Sequence, residues 1–157
     1  MVNAKDIMNA NVITVSPDTT VEALGRLFME KGLSGAPVVD SKGNLFGIVT
    51  ENDLIKQNGR FHIPTVVRLF DAFIPLEGDS TIEKEIRRMS ASKVSEICTR
   101  KVVTVDPETS LTDIATIMSE KGIHLLPVLR EGKLVGIIGK LDVIRGSVGE
   151  VDKQQPS

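Results

Sequence analysis

The sequence has 157 residues, 41% hydrophobic and 25% charged, with a formal net charge of −2, which fits one compact globular domain or two small packed halves. It holds five Phe, no Trp and no Tyr, and no basic stripe, so duplex binding and base stacking on aromatic platforms are not expected. A single cysteine, Cys98, excludes an internal disulfide and suits a reducing cytoplasm, while no apolar run approaches the roughly 20 residues of a membrane span.

In chain order, Ala4-Lys5-Asp6-Ile7 leads into Val12 to Val15, a β-branched run that predicts a short strand. Ser16-Pro17 then signals a turn, and Thr19 with Glu22 has capping-box spacing. Val21, Leu24, Leu27 and Phe28 recur at helical period, and Gly32 stands after Lys31 where a left-handed terminator belongs. Ala36-Pro37-Val38-Val39 predicts a strand, Ser41-Lys42-Gly43-Asn44 a hairpin turn, and a second strand ends at Thr50 before a helix from near Glu51.

A longer segment follows, opened by Asn58-Gly59. Ile63 to Leu76 is strongly apolar between Pro64 and Pro75. Such a stretch needs burial, either over an open edge of the core or as an oligomer contact or lid. Ser80 with Glu83 caps an expected amphipathic helix over Thr81 to Met89.

The second half repeats the first. Val102-Val103-Thr104-Val105-Asp106-Pro107-Glu108-Thr109 matches Val12 to Thr19, and Glu120-Lys121-Gly122 matches Glu30-Lys31-Gly32. Leu126-Pro127-Val128-Leu129 matches Ala36 to Val39 and, after a one-residue deletion, Asp142-Val143-Ile144 matches Asp53-Leu54-Ile55. Val94-Ser95-Glu96-Ile97 is the counterpart of Ala4 to Ile7, which sets Cys98 opposite Met8 as a packed apolar residue. Ser110 with Asp113 repeats the cap, and Leu111, Ile114, Ile117 and Met118 repeat the helical stripe. Glu131-Gly132-Lys133 is the second hairpin turn, and its strand ends at Gly139 before a helix from Lys140. Each unit reads strand, helix, strand, strand, helix, and each is too small to close a core alone.

These features resemble a pair of CBS motifs. The resemblance rests on Val-Ile-Thr-Val-Ser-Pro-Asp-Thr, on Lys-Gly followed by Ala-Pro-Val-Val, and on Gly-Ile-Val-Thr-Glu-Asn-Asp-Leu. It implies an α/β (α+β) fold: a tandem, pseudo-twofold pair of β-α-β-β-α motifs with sheets face to face and a helical insert between them. The motifs would occupy residues 1–57 and 94–148, the insert 58–93 and a flexible tail 149–157. It also implies two clefts between the motifs that take AMP, ADP, ATP or S-adenosyl compounds, and disc-like homodimers.

Gly47-Ile48-Val49-Thr50-Glu51-Asn52-Asp53 fits the family's ribose signature. A carboxylate at a helix start can accept hydrogen bonds from both ribose hydroxyls. Thr50 and Asp53 are also spaced as a capping box, and capping and binding can coexist. The second copy, Gly136 to Asp142, keeps the carboxylate, but Gly139 replaces the hydroxyl residue. Asp142 either binds ribose or charges the first turn of its helix. By resemblance, His124 reaches a phosphate across the pseudo-twofold; otherwise it is a half-buried histidine after a helix. Arg100 and Lys101 either add positive charge there or form a solvated basic turn. Ile13, Thr14, Ala36 and Pro37 match the adenine walls of the first cleft, and Thr104 and Pro127 those of the second, besides their core and strand roles.

No P-loop or Gly-x-Gly-x-x-Gly run is present, and His62, His124 and Cys98 lack metal-ligand spacing. The expected function is a cytoplasmic, non-enzymatic regulatory module that senses an adenine nucleotide (AMP, ADP or ATP) without a metal, as a homodimer acting on an unidentified protein. A protein-interaction subunit with empty clefts and a binder of S-adenosylmethionine are the alternatives.

Overall fold

The computed structural model describes residues 1–57 and 92–149. His62, the apolar run Ile63 to Leu76, the helix expected over Thr81 to Met89 and the tail beyond 149 lie outside them. The elements run α1 (Ala4–Ile7), α2 (Val21–Lys31), β1 (Gly35–Val39), β2 (Leu45–Thr50), α3 (51–57), α4 (Val94–Ile97), α5 (Leu111–Lys121), β3 (Leu125–Arg130), β4 (Lys133–Gly139) and α6 (Lys140–Ser147). The architecture is α/β, with two two-stranded sheets, β1-β2 and β3-β4.

The paired helices α2 and α5 each have 11 residues, because the same signals start and stop them. Gly32 and Gly122 end them at φ 63° and 62°, the left-handed conformation that glycine adopts without a Cβ penalty. Ser110 caps α5 by accepting from the Asp113 amide. In α2 the cap is Thr20, accepting from the Ala23 amide at 3.1 Å, not Thr19 as the spacing to Glu22 suggested. Thr19 accepts instead from the Ser16 amide and closes the turn before the helix. Thr109 does the same for Asp106.

The strands expected over 12–15 and 102–105 shrink to one parallel bridge each, Val15 with Val38 and Val105 with Val128. The cause is the proline in the neighbouring strand. Val15 donates to Pro37 and accepts from Val39, and Val105 donates to Pro127 and accepts from Leu129. The next ladder bond would need an amide hydrogen on Pro37 or Pro127, and proline has none. β3 and β4 pair antiparallel from Leu125↔Gly139 to Arg130↔Lys133. Glu131 and Gly132, at φ 49° and 79°, make the tight two-residue turn between them.

The compact units cut across the repeats. One unit holds described residues 1–13, 41–45 and 101–149; the other holds 14–40, 46–57 and 92–100. Each unit thus takes its short lead helix from the other repeat. In the first, Ala4 and Lys5 donate to the Thr109 and Pro107 carbonyls, and Asn9 exchanges two bonds with Ile137. In the second, Val94 and Ser95 donate to Thr19 and Pro17, and Thr99 exchanges two bonds with Ile48. The free amides of a helix's first turn need acceptors, and the Pro-containing turns supply them. The cores are largely aliphatic, with Ala4, Ile114, Leu126 and Ile138 in the first unit and Leu24, Ala36, Val49 and Val94 in the second all fully buried, and Phe28 the buried aromatic of the second.

Candidate functional site

Two strand-to-helix corners carry the candidate carboxylates. At the first, β2 ends at Thr50 and α3 begins. The Thr50 amide donates to Asp53 Oδ2 at 2.9 Å, and its hydroxyl reaches the same oxygen at 3.4 Å. Glu51 donates its amide to the Ser34 carbonyl, which ties the corner to the start of β1. Asp53 is half-buried, and its Oδ1 has no partner among the described residues. Capping is therefore real here, and it leaves one carboxylate oxygen for a further donor.

The glycine that opens the signature has a packing cause. A Cβ at Gly47 would stand 2.6 Å from the Thr99 carbonyl oxygen and 3.0 Å from Cys98 Sγ. The lead segment after α4 lies directly on β2, so only glycine fits. Burial pushes the Cys98 thiol above its ordinary pKa, with Arg100 opposing and the Asp53 charge adding to the shift. Arg100 is engaged: its guanidinium stacks 3.5 Å over the Phe46 ring, and Nε donates to the Phe46 carbonyl. The sequence did not signal this contact.

Residues 4–59 and 94–149 each match the CBS domain family. The chain belongs to the CBS-domain family. The CBS relative MJ1426, an uncharacterized protein of Methanocaldococcus jannaschii, is 30% identical over 92% of this chain and 90% of its own length. Other relatives are longer, this chain spanning 41% of one of them. Among solved structures, the CBS domain of a CBS domain containing membrane protein from Sphaerobacter thermophilus is 32% identical, with a TM-score of 0.69 over 92% of this chain and 87% of that one. CBSX2 in complex with AMP is 25% identical, with a TM-score of 0.72 over 99% of this chain and all of that one.

The second CBS corner has the same backbone course. Gly139 donates its amide to Asp142 Oδ2 at 2.7 Å, and Oδ1 is paired with Arg145 Nη2. Sequence reading missed Arg145, although its i,i+3 spacing from Asp142 was a usable signal. Thr104 lines an open cavity of about 540 Å³ with Asp106, Thr109 and Asp113 on its wall. His124 is exposed between α5 and β3, and Lys101 is exposed as well.

Of the other expected residues, Thr14 is exposed and Ile13 is 37% exposed. Ala36 and Pro37 have no free surface; they are core residues, and Pro127 is buried likewise. Thr50, Asp53, Thr14, Ala36 and Pro37 fall in one compact unit, whereas Ile13, Thr104, His124 and Asp142 fall in the other. Among the described residues no group of three His, Cys, Asp or Glu could hold a metal ion, and no helix is long and apolar enough to cross a membrane.

Proposed function

We propose that this CBS pair is a regulatory module that binds an adenine nucleotide, with AMP as the first ligand to test and Asp53 holding the ribose. The observation that carries the reading is the Thr50–Asp53 corner, whose Asp53 Oδ1 is left without a partner among the described residues. The likeness to AMP-bound CBSX2 supports it. A carboxylate offers two oxygens to the two hydroxyls of a ribose, and both bonds are charge-assisted. Thr50 fixes the carboxylate's orientation from below. Binding would then bias the conformation or contacts of the module, which is how a protein without catalytic groups regulates another.

The test is a melting series with AMP, ADP, ATP and S-adenosylmethionine at millimolar concentration. A ligand at a hundredfold excess over its Kd stabilises the fold by about 2.7 kcal/mol. Wild type is expected to melt higher with AMP, and Asp53→Ala to lose the shift. No shift with any of the four compounds overturns the reading. With one cysteine, the module suits a reducing compartment such as the cytoplasm.

A second reading, an interaction subunit or homodimer, draws on Leu141 and Ile144, which are 67% and 56% exposed on one side of α6. Light scattering with and without AMP separates the two: a nucleotide-independent assembly with no melting shift favours the second.

A further inference from the structure

The two CBS corners hold the same carboxylate in different company. Asp53 spends one oxygen on Thr50 and keeps Oδ1 without a partner among the described residues. Asp142 spends Oδ2 on the Gly139 amide and Oδ1 on the Arg145 guanidinium, one turn along the same helix. The Asp142 side chain is 17% exposed. In the first repeat, Lys56 stands where Arg145 stands in the second, and no ion pair joins Lys56 to Asp53 among the described residues.

We infer that Arg145 silences the second corner by occupying the carboxylate oxygen a ribose would need, so that the chain takes one nucleotide, at Asp53. This rests on the ribose-binding reading of the first corner. A sugar diol approaches a carboxylate with one neutral O–H for each oxygen. At Asp142, as at Asp53, one oxygen holds a backbone N–H, and at Asp142 the other also holds a guanidinium N–H from Arg145 Nη2, a stronger donor than a hydroxyl. The guanidinium engages Asp142 through Nη2 and is weakly hydrated, whereas a lysine ammonium is a compact, well-hydrated point charge. Arg145 sits at i,i+3 from its partner, so little order is lost in holding it there. The pair need not be strong: a tenfold bias against ribose corresponds to about 1.4 kcal/mol, the scale of one charge-assisted hydrogen bond.

The loss of the hydroxyl at Gly139 is a separate change, and the structure allows the two to be tested apart. Gly139 is extended at φ −109°, ψ 178°. A Cβ there meets nothing nearer than 3.7 Å, so the backbone accepts a side chain and Gly139→Thr restores the hydroxyl type.

The experiment is calorimetric titration of the full chain with AMP. Wild type is expected to bind one AMP, lost in Asp53→Ala. Arg145→Lys is expected to gain a second event within about tenfold of the first affinity, and Arg145→Lys/Asp142→Ala to lose that event again. Gly139→Thr alone, with Arg145 in place, is expected to gain none. The inference is overturned if Arg145→Lys shows no second event, if Gly139→Thr alone shows one, or if wild type already binds two. A wild type that binds no AMP, alongside the empty melting series, instead removes the ribose reading, and this inference goes with it. A melting temperature of Arg145→Lys close to wild type shows that the fold is intact.

Discussion

At matching places in the two compact units, β2 and β4 each carry a glycine under a lead segment, and what presses on that glycine differs. Gly47 faces the Thr99 carbonyl oxygen and Cys98 Sγ. The atoms nearest an added Cβ at Gly136 belong to the Met8 side chain: Sδ, Cγ at 2.8 Å and Cβ at 3.1 Å. The Thr99 carbonyl is pinned by the two bonds it and its amide make with Ile48. Met8 has rotatable bonds and a soft thioether. The same residue in the same motif is thus enforced by a hard neighbour in one unit and a yielding one in the other. A repeat in sequence marks a repeat in backbone course; how strictly each position is held depends on which atoms fill the gap.

The largest expected effects test the part of the comparison in which the units should agree. Leu24 and Ile114 are equivalent positions of α2 and α5, both 0% exposed. Leu24→Ala and Ile114→Ala are each expected to cost about 2–5 kcal/mol in urea unfolding, because both leave a cavity in an aliphatic core. A near-zero cost for one of them would break the claim that the units are built alike.

The glycines should then separate the units. Gly47→Ala is expected to cost about 1–3 kcal/mol, since the added methyl must displace a bonded backbone carbonyl. Gly136→Ala is expected to cost less, as a rotamer change carries Met8 Sδ and Cγ away and leaves only its Cβ, at 3.1 Å, to yield by a few tenths of an ångström. The reverse order in melting temperature would show that side-chain softness does not decide tolerance here.

Smaller still are the caps. Thr20→Ala and Ser110→Ala are each expected to cost about 1 kcal/mol by freeing one helix amide. Thr19→Ala should cost less than Thr20→Ala, because Thr19 serves the preceding turn. Equal losses at 19 and 20 would blunt that assignment.

Much of this fold was legible. The periodic apolar positions, the two Gly terminators and the hairpin turns all follow from local signals that tertiary packing did not override, whereas the four-residue lead helices, whose first amides bond to turns of the other repeat, were read only as matching segments. The cap at Thr20 was legible too, since the repeat offset that pairs Ser110 with Thr20 points to it; reading Thr19 against Glu22 alone missed by one residue. The opening strands failed because their partner's proline, some twenty residues away, decides whether a ladder can extend. The Asp53 carboxylate was legible as a type in a motif. The state of its oxygens was not, because sequence gives spacing and not the direction in which a side chain spends its bonds. The Arg100 stack on Phe46 was hidden for the same reason, and so was the mixing of the repeats in each compact unit, whereas the Arg145 pair was signalled by its i,i+3 spacing and went unread.

The smallest expected effect returns to the lead segments and separates them by pH. Burial raises the Cys98 thiol above its ordinary pKa, so the fold favours the neutral form. The stability tied to that preference is fully present below pH 9.0, the thiol's ordinary value, and is lost as pH rises through the folded-state value. Met8, its counterpart in the other unit, has nothing to titrate. Wild type should therefore lose stability more steeply than Cys98→Ala above pH 9.0 when urea midpoints are compared. Lys5 acts in the same direction, because its hydrogen bond to Glu108 raises its pKa and that bond also weakens as the amine deprotonates. Salt tells the two apart. The Lys5–Glu108 pair is exposed and screened, while desolvation of a packed thiol is not. An alkaline slope that survives high salt in wild type and vanishes in Cys98→Ala assigns it to the thiol on Gly47. A slope that salt removes assigns it to Lys5, and the contrast between a titrating and a non-titrating lead segment would then have no energetic consequence.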